Sequence, residues 1–184
     1  MHPRLTRREF ARIGASAAAG AMTVGAATAF AQQPAAGRGS QPVVPKPDAL
    51  KSEFLMDLEL ETGGQGSGSV GARSIVAVTG GTFQGPKLRG KVLPPGADWP
   101  VAAGDGLRIL DVRTILMTDD EQRIYCSYRG VIYTPPAAPG ERYWRITPAF
   151  ETASEKYAWL NRIVAVGVSY TVPQRVSYRI FQIL

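Results

Sequence analysis

The sequence predicts an all-β fold of about eight strands, a sandwich or a barrel. Three observations carry that expectation. Short apolar or alternating runs recur from Glu53 to the C-terminus, and clusters of Gly, Pro and Asp separate them. No segment holds a sustained 3.6-residue apolar period with caps at its ends, so helix is expected to be minor. Strands of this number and spacing suit a sandwich or a barrel, and about eight of them close around an interior wide enough for side chains or one small ligand.

The chain opens with an export signal rather than a strand. Thr6-Arg7-Arg8-Glu9-Phe10 is a twin-arginine pattern, followed by a weakly apolar Ala/Gly/Thr-rich run from Ile13 to Phe30. Ala29-Phe30-Ala31 places small residues where a signal peptidase reads them, so cleavage is expected before Gln32. Ala11 and Arg12 depart from the Leu-Lys that usually follows such a Phe. A membrane anchor is the competing reading, but Gly14, Gly20 and Gly25 dilute the run's hydrophobicity. Residues 1–31 are therefore read as signal peptide and 32–51 as an extended linker rich in Pro and Gly, with Pro34, Pro42, Pro45 and Pro47. The domain is expected to span 52–184. Twin-arginine export carries folded proteins, so the barrel would fold in the cytoplasm and work in the periplasm. The translocation machinery is its partner on the way, and no stable membrane insertion follows cleavage.

The strands follow in order. Phe54, Met56, Leu58 and Leu60 alternate with Asp57, Glu59 and Glu61, a half-buried strand beginning at Glu53. After a Gly/Ser loop from Gly63 to Gly71, Ser74–Thr79 and Lys87–Leu93 read as short strands. Further strands are expected at Leu107–Met117, Gln122–Tyr133, Arg142–Phe150, Leu160–Tyr170 and Arg175–Ile183. Turns are expected at Pro94-Pro95-Gly96, Gly104-Asp105-Gly106, Asp119-Asp120, Pro135 to Gly140, and Pro173. No internal repeat is present.

Composition narrows the chemistry. The total charge is +6, and the four arginines and one glutamate of residues 1–31 leave the exported part at +3. No run of Lys or Arg exceeds two residues there, so nucleic acid is not an expected partner. The single histidine, His2, lies in the signal peptide, and the single cysteine is Cys126. Ser-His-Asp and Cys-His catalysis are thereby excluded from the exported domain, as are His-ligated zinc and thiolate clusters. Cys126 can form no internal disulfide and is expected to be a buried, inert thiol. Proton transfer must fall to carboxylates, Tyr, Lys or water. No cofactor and no metal are expected.

Two phosphate-binding patterns occur by letter only. Gly66, Gly68 and Gly71 have dinucleotide-site spacing, and Gly85 to Val92 nearly matches a P-loop. A strand follows each, where a helix N-terminus would have to face the phosphates, and Val92 stands where a hydroxyl would ligate magnesium.

Asp98 and Trp99 end the Pro94-Pro95-Gly96 segment, where a carboxylate beside an indole suits a general acid or base, or merely caps a turn. Asp111 and Arg113 share a strand face, opposite Leu110, Val112 and Leu116. They would orient a ligand in a polar cavity or form a structural ion pair. Tyr143, Arg145 and Thr147 share another face, opposite Trp144 and Ile146, and Glu151 follows; Trp159 and Asn161 share a third. Which faces point inward is open at this point, because a one-residue shift reverses every assignment.

The stretch Thr79–Trp99, with Asp111-Val112-Arg113, Thr118-Asp119-Asp120, Phe150-Glu151-Thr152 and Tyr157-Ala-Trp159-Leu160-Asn161, resembles a bacterial family known as domain of unknown function 3237. The resemblance runs from Phe54 to Leu184. It implies an antiparallel barrel similar to those of allene oxide cyclase and the dirigent proteins, and no assigned reaction. Pro95 replaces a Gly of the family's Pro-Gly-Gly-Ala-Asp-Trp element, and Thr114 stands where the family more often has Tyr.

Three functions fit these residues. The first is a cofactor-independent cyclase, isomerase or lyase acting on a small phenolic or carbonyl compound. There Asp98 or Glu151 would move the proton, and Arg113 or Arg145 would stabilise oxyanion charge. Trp99, Asp111, Tyr143, Trp159 and Asn161 would complete the pocket. The second is a non-catalytic periplasmic carrier using the same cavity. The third is an interaction module that forms homo-oligomers without a useful cavity.

Overall fold

A computed structural model describes residues 46–64 and 66–184. The expected signal peptide and most of the linker lie outside the described residues. Ten strands follow in order: β1 (Ser52–Thr62), β2 (Gly68–Val70), β3 (Arg73–Gln84), β4 (Arg89–Asp98), β5 (Val101–Gly104), β6 (Leu107–Thr118), β7 (Arg123–Tyr133), β8 (Tyr143–Glu151), β9 (Val164–Val172) and β10 (Arg175–Ile183). Eight form a ring in the order β1-β10-β9-β8-β7-β6-β4-β3, and β3 pairs back onto β1 to close it. Every pairing is antiparallel, as the eight-stranded barrel expectation required. The short β2 and β5 extend the sheet beside β3 and β6.

Alternation decides the interior. In β6, Leu110, Val112, Thr114, Leu116 and Thr118 are buried, while Asp111, Arg113, Ile115 and Met117 lie on the other side. The same phase places Met56, Leu58 and Leu60 of β1, Ile124, Cys126, Tyr128 and Ile132 of β7, Ile146 and Phe150 of β8, and Tyr178 and Ile180 of β10 inside. Each fully buried aliphatic side chain stabilises the fold by about 1.5–3 kcal/mol relative to exposure. The acidic face of β1 is consequently outside, where β10 meets it with arginines. Asp57 stands opposite Arg179 in register and takes both its Nε and Nη2 at 2.9 Å, and Arg175 reaches Glu59 and Glu61. Apolar phase and charge pairing thus select one register for this seam.

Two expectations about elements change. Pro94-Pro95-Gly96 is not a turn: β4 runs through it, and the pairing with β6 is irregular between Leu93 and Ala97. Proline has no N–H to give a ladder, and an interruption is where a strand tolerates it. A matching irregularity in β3 between Val78 and Thr82 contains Gly81 at φ 136°, whose absent Cβ would collide with the Glu59 carbonyl. Nor does the seventh expected strand start at Leu160. Glu155–Arg162 forms a 3₁₀ helix, and β9 begins at Val164. With three residues per turn, Tyr157 and Leu160 fall on one side and are both buried.

That helix closes one end of the barrel. The Tyr157 hydroxyl donates to Asp120 Oδ1 at 2.9 Å, and Lys156 pairs with Asp120 Oδ2 at 2.6 Å, anchoring the helix to the β6–β7 turn. Asn161 clasps the backbone of Thr152 in both directions, and the Lys87 ammonium lies over the Trp159 ring. The opposite end gathers the C-termini of β4, β7 and β9 and the N-termini of β6, β8 and β10. It carries no such plug among the described residues.

Candidate functional site at the unplugged barrel end

Asp98 is the last residue of β4 and lies opposite Val112 of β6, which in turn lies opposite Tyr128 of β7. Two residues earlier, a Cβ on Gly96 would meet the inward Thr114 Oγ1 at 2.8 Å, so this side of β4 faces the interior. The Asp98 carboxyl is half-buried and accepts the Asp111 N–H at 3.0 Å. Burial raises its pKa above the usual carboxylate value. The Asp111 amide opposes the rise, the Asp111 charge adds to it, and Arg108 pulls it back.

Behind Asp98 stands an aromatic group. Tyr178 meets Tyr128 edge to face at 5.5 Å between centroids and meets Trp144 the same way at 5.5 Å. Burial raises both phenols well above their ordinary range, and the Asp98 charge pushes each the same way, so the carboxyl and the two hydroxyls share one electrostatic environment. Two buried polar atoms of this region, Thr114 Oγ1 and Trp144 Nε1, have no hydrogen-bond partner. Such atoms are rare in interiors, and both are closed off from solvent.

Above this layer a hollow of about 360 Å³ opens at the rim, lined by Ala102, Leu107, Arg108, Ile132, Thr134 and Arg142 among others. Arg108 precedes Leu110 by two residues and so shares the inward phase. Arg142 lies two before Trp144, and its guanidinium stacks over that indole at 4.2 Å. A second hollow of about 310 Å³ lies on the other side of Arg142 and Trp144, against Tyr170, Arg175 and Ser177. Among the described residues no three His, Cys, Asp or Glu side chains converge to hold a metal ion.

Of the residues singled out from sequence, the structure brings only Asp98 to this end on the interior side. Trp99, Asp111 and Arg113 gather on the exterior of β6, with Arg113 3.1 Å from Asp111 Oδ1 and 5.5 Å from the Trp99 ring. Tyr143 and Arg145 form an exterior stack at 4.7 Å beside Ile109, Val131 and Val166. Glu151 is exposed at the far end of β8, and Trp159 and Asn161 belong to the plug. They do not converge. Arg108, Thr114, Tyr128, Arg142, Trp144 and Tyr178 were not singled out for chemistry. The available signal was the apolar phase itself, since each shares the phase of the buried aliphatics.

A family profile described as "Protein of unknown function (DUF3237)" matches residues 49–183. A protein of Rhodopseudomonas palustris named UPF0311 protein is 30% identical over 149 residues, covering 73% of this chain and 97% of its own length. A UPF0311 protein of Clostridium acetobutylicum is 30% identical over 125 residues, covering 62% of this chain and 79% of its own. Among solved structures, a β-barrel-like protein from Acinetobacter baumannii superposes with a TM-score of 0.67 at 33% identity, covering 76% of this chain and 99% of that one. A structure described as an enzyme from Penicillium herquei matches with a TM-score of 0.61 at 24% identity, covering 77% of this chain and 100% of that one, a likeness of fold.

Proposed function

The chain belongs to the DUF3237 family, and we propose that it is a cofactor-independent enzyme that moves a proton on a small phenolic or carbonyl compound, promoting cyclisation, isomerisation or elimination. The observation that carries this reading is Asp98: a half-buried carboxyl of raised pKa at the unplugged barrel end, close enough to the Tyr128 and Tyr178 phenols for its charge to act on both. A carboxyl shifted upward is a better proton donor and acceptor near neutral pH than an ordinary aspartate. Arg108, whose charge acts on Asp98, supplies a positive group at the same end towards oxyanion charge. Trp144, half-buried and lining the hollow beside Arg142, provides a rigid aromatic wall to hold a substrate near its reacting shape. The description of the Penicillium barrel as an enzyme agrees with a catalytic use of this architecture.

The twin-arginine pattern supports a periplasmic site of action, after export and cleavage near Gln32. The test is incubation of the protein with phenols, enones and lactones, each recovered and analysed by mass and chromatographic retention. An isomeric or eliminated product that Asp98→Asn lowers by about 10²-fold or more supports the assignment. Saturable binding with every compound returned unchanged refutes catalysis and leaves a carrier.

A further inference from the structure

We propose that Arg108 and Arg142 form an anion clamp at the rim, and that the compound taken there is a small aromatic carboxylic acid bound as its carboxylate. The inference rests on the reading of this barrel end as the ligand site and names the class of ligand. Arg108 belongs to the inward phase of β6, Arg142 immediately precedes β8, and both line one hollow. Neither forms an ion pair among the described residues. Arg175, at the same end, differs: Glu59 and Glu61 already hold it at 3.0 and 3.2 Å. The one carboxylate on the wall of the hollow, Asp105, sits in the exposed left-handed turn between β5 and β6 and pairs with neither arginine.

The geometry also indicates the rest of the molecule. The Arg142 guanidinium lies over the Trp144 ring, 4.2 Å from its centre, a contact that restrains it and leaves N–H groups from which a carboxylate accepts paired hydrogen bonds. Leu107, Ile132 and Ala102 supply apolar walls beside the two charges. A volume of about 360 Å³ is at the small end for ligand pockets and suits one or two fused rings.

The test is calorimetric titration of the full chain with 1-naphthoate, with its neutral isostere 1-naphthamide, and with 1-naphthyl phosphate. The clamp predicts saturable binding of 1-naphthoate and at least about tenfold weaker binding of the amide. Arg108→Gln and Arg142→Gln should each weaken naphthoate about tenfold and leave the amide unchanged, with Arg142→Lys recovering only part. Unchanged thermal midpoints would show that these exposed substitutions leave the fold intact. Equal affinity for acid and amide overturns the proposal, as does naphthoate binding indifferent to both arginines, or none up to millimolar concentration. Tighter binding of the phosphate than of the carboxylate overturns the ligand class. Asp98→Asn separates this inference from the catalytic reading: it should keep or strengthen naphthoate binding while lowering any turnover by about 10²-fold or more. Binding without any Asp98-dependent turnover would sink the catalytic reading alone.

Discussion

Asp98 Oδ1 accepts the Asp111 backbone N–H at 3.0 Å, so the end of β4 is tied to β6 by a side chain whose residue faces the barrel interior. The bond explains why the carboxyl is both held in place and only partly relieved of its burial. Asn keeps the acceptor and removes the charge, which makes Asp98→Asn an informative substitution.

Stability should respond to that substitution in a pH-dependent way. The folded pKa of Asp98 is raised above its unfolded value, so its contribution is fully present below about pH 4 and is lost as pH rises through the folded pKa. Asp98→Asn should therefore melt higher than wild type at neutral pH, and the two curves should converge in acid. Thermal midpoints measured from pH 3 to 8 check this, and a lower midpoint for the variant at pH 7 would contradict it.

Asp120 should behave in the opposite sense. The Lys156 ammonium and the Thr118 and Tyr157 hydroxyls hold its carboxyl below the usual range. Its stabilising effect is then present above the ordinary carboxylate pKa and fades as pH falls through the folded value. Asp120→Asn should lower the melting midpoint at pH 7 and have little effect at strongly acid pH.

The plug itself can be weighed. Leu160 is 1% exposed, and Leu160→Ala should destabilise the barrel by about 2–5 kcal/mol in urea unfolding. Arg113→Ala, which breaks an exterior ion pair, should change stability by less than about 1 kcal/mol. Neither should alter 1-naphthoate affinity by more than about twofold, since both lie away from the rim hollow.

Cys126 should be silent in the native state. Complete burial pushes its thiol up to about 12. Ellman's reagent should find no reactive thiol in the folded protein and one per chain in denaturant. Fast labelling under native conditions would place Cys126 elsewhere than in the core.

Packing at the barrel's waist is equally checkable. A Cβ on Gly167 would approach Ile146 Cγ1 at 2.5 Å, and one on Gly130 would meet Ile146 Cγ2 at 2.7 Å. Gly167→Ala should cost about 1–3 kcal/mol, and Ile146→Val in the same chain should recover part of it. A double-mutant cycle on urea midpoints measures that coupling.

The barrel was legible in the chain because alternation is a strong signal where one face is apolar. Leu110, Val112 and Leu116 separated cleanly from Asp111 and Arg113, and all eight barrel strands were located. Two elements resisted for local reasons. Pro94-Pro95-Gly96 has turn composition but sits in an interrupted ladder, and Tyr157 and Leu160 are buried by tertiary packing of a helix too short to show a period. The site was harder to find because the sequence leaves open whether the polar faces of Asp111, Arg113, Tyr143 and Arg145 point inward. Those faces meet solvent, and Arg108, Thr114, Tyr128 and Trp144 occupy the apolar phase instead. Asp98 alone satisfied both criteria, since its residue type suggested chemistry and its position at a strand end suggested a rim.

The 3₁₀ helix covers one end of the packed barrel and leaves the rim hollow at the other end open. On the catalytic reading proposed above, product and substrate would share the rim hollow. Product should then act as a competitive inhibitor, and release should set the pace whenever the arginines hold product as firmly as substrate.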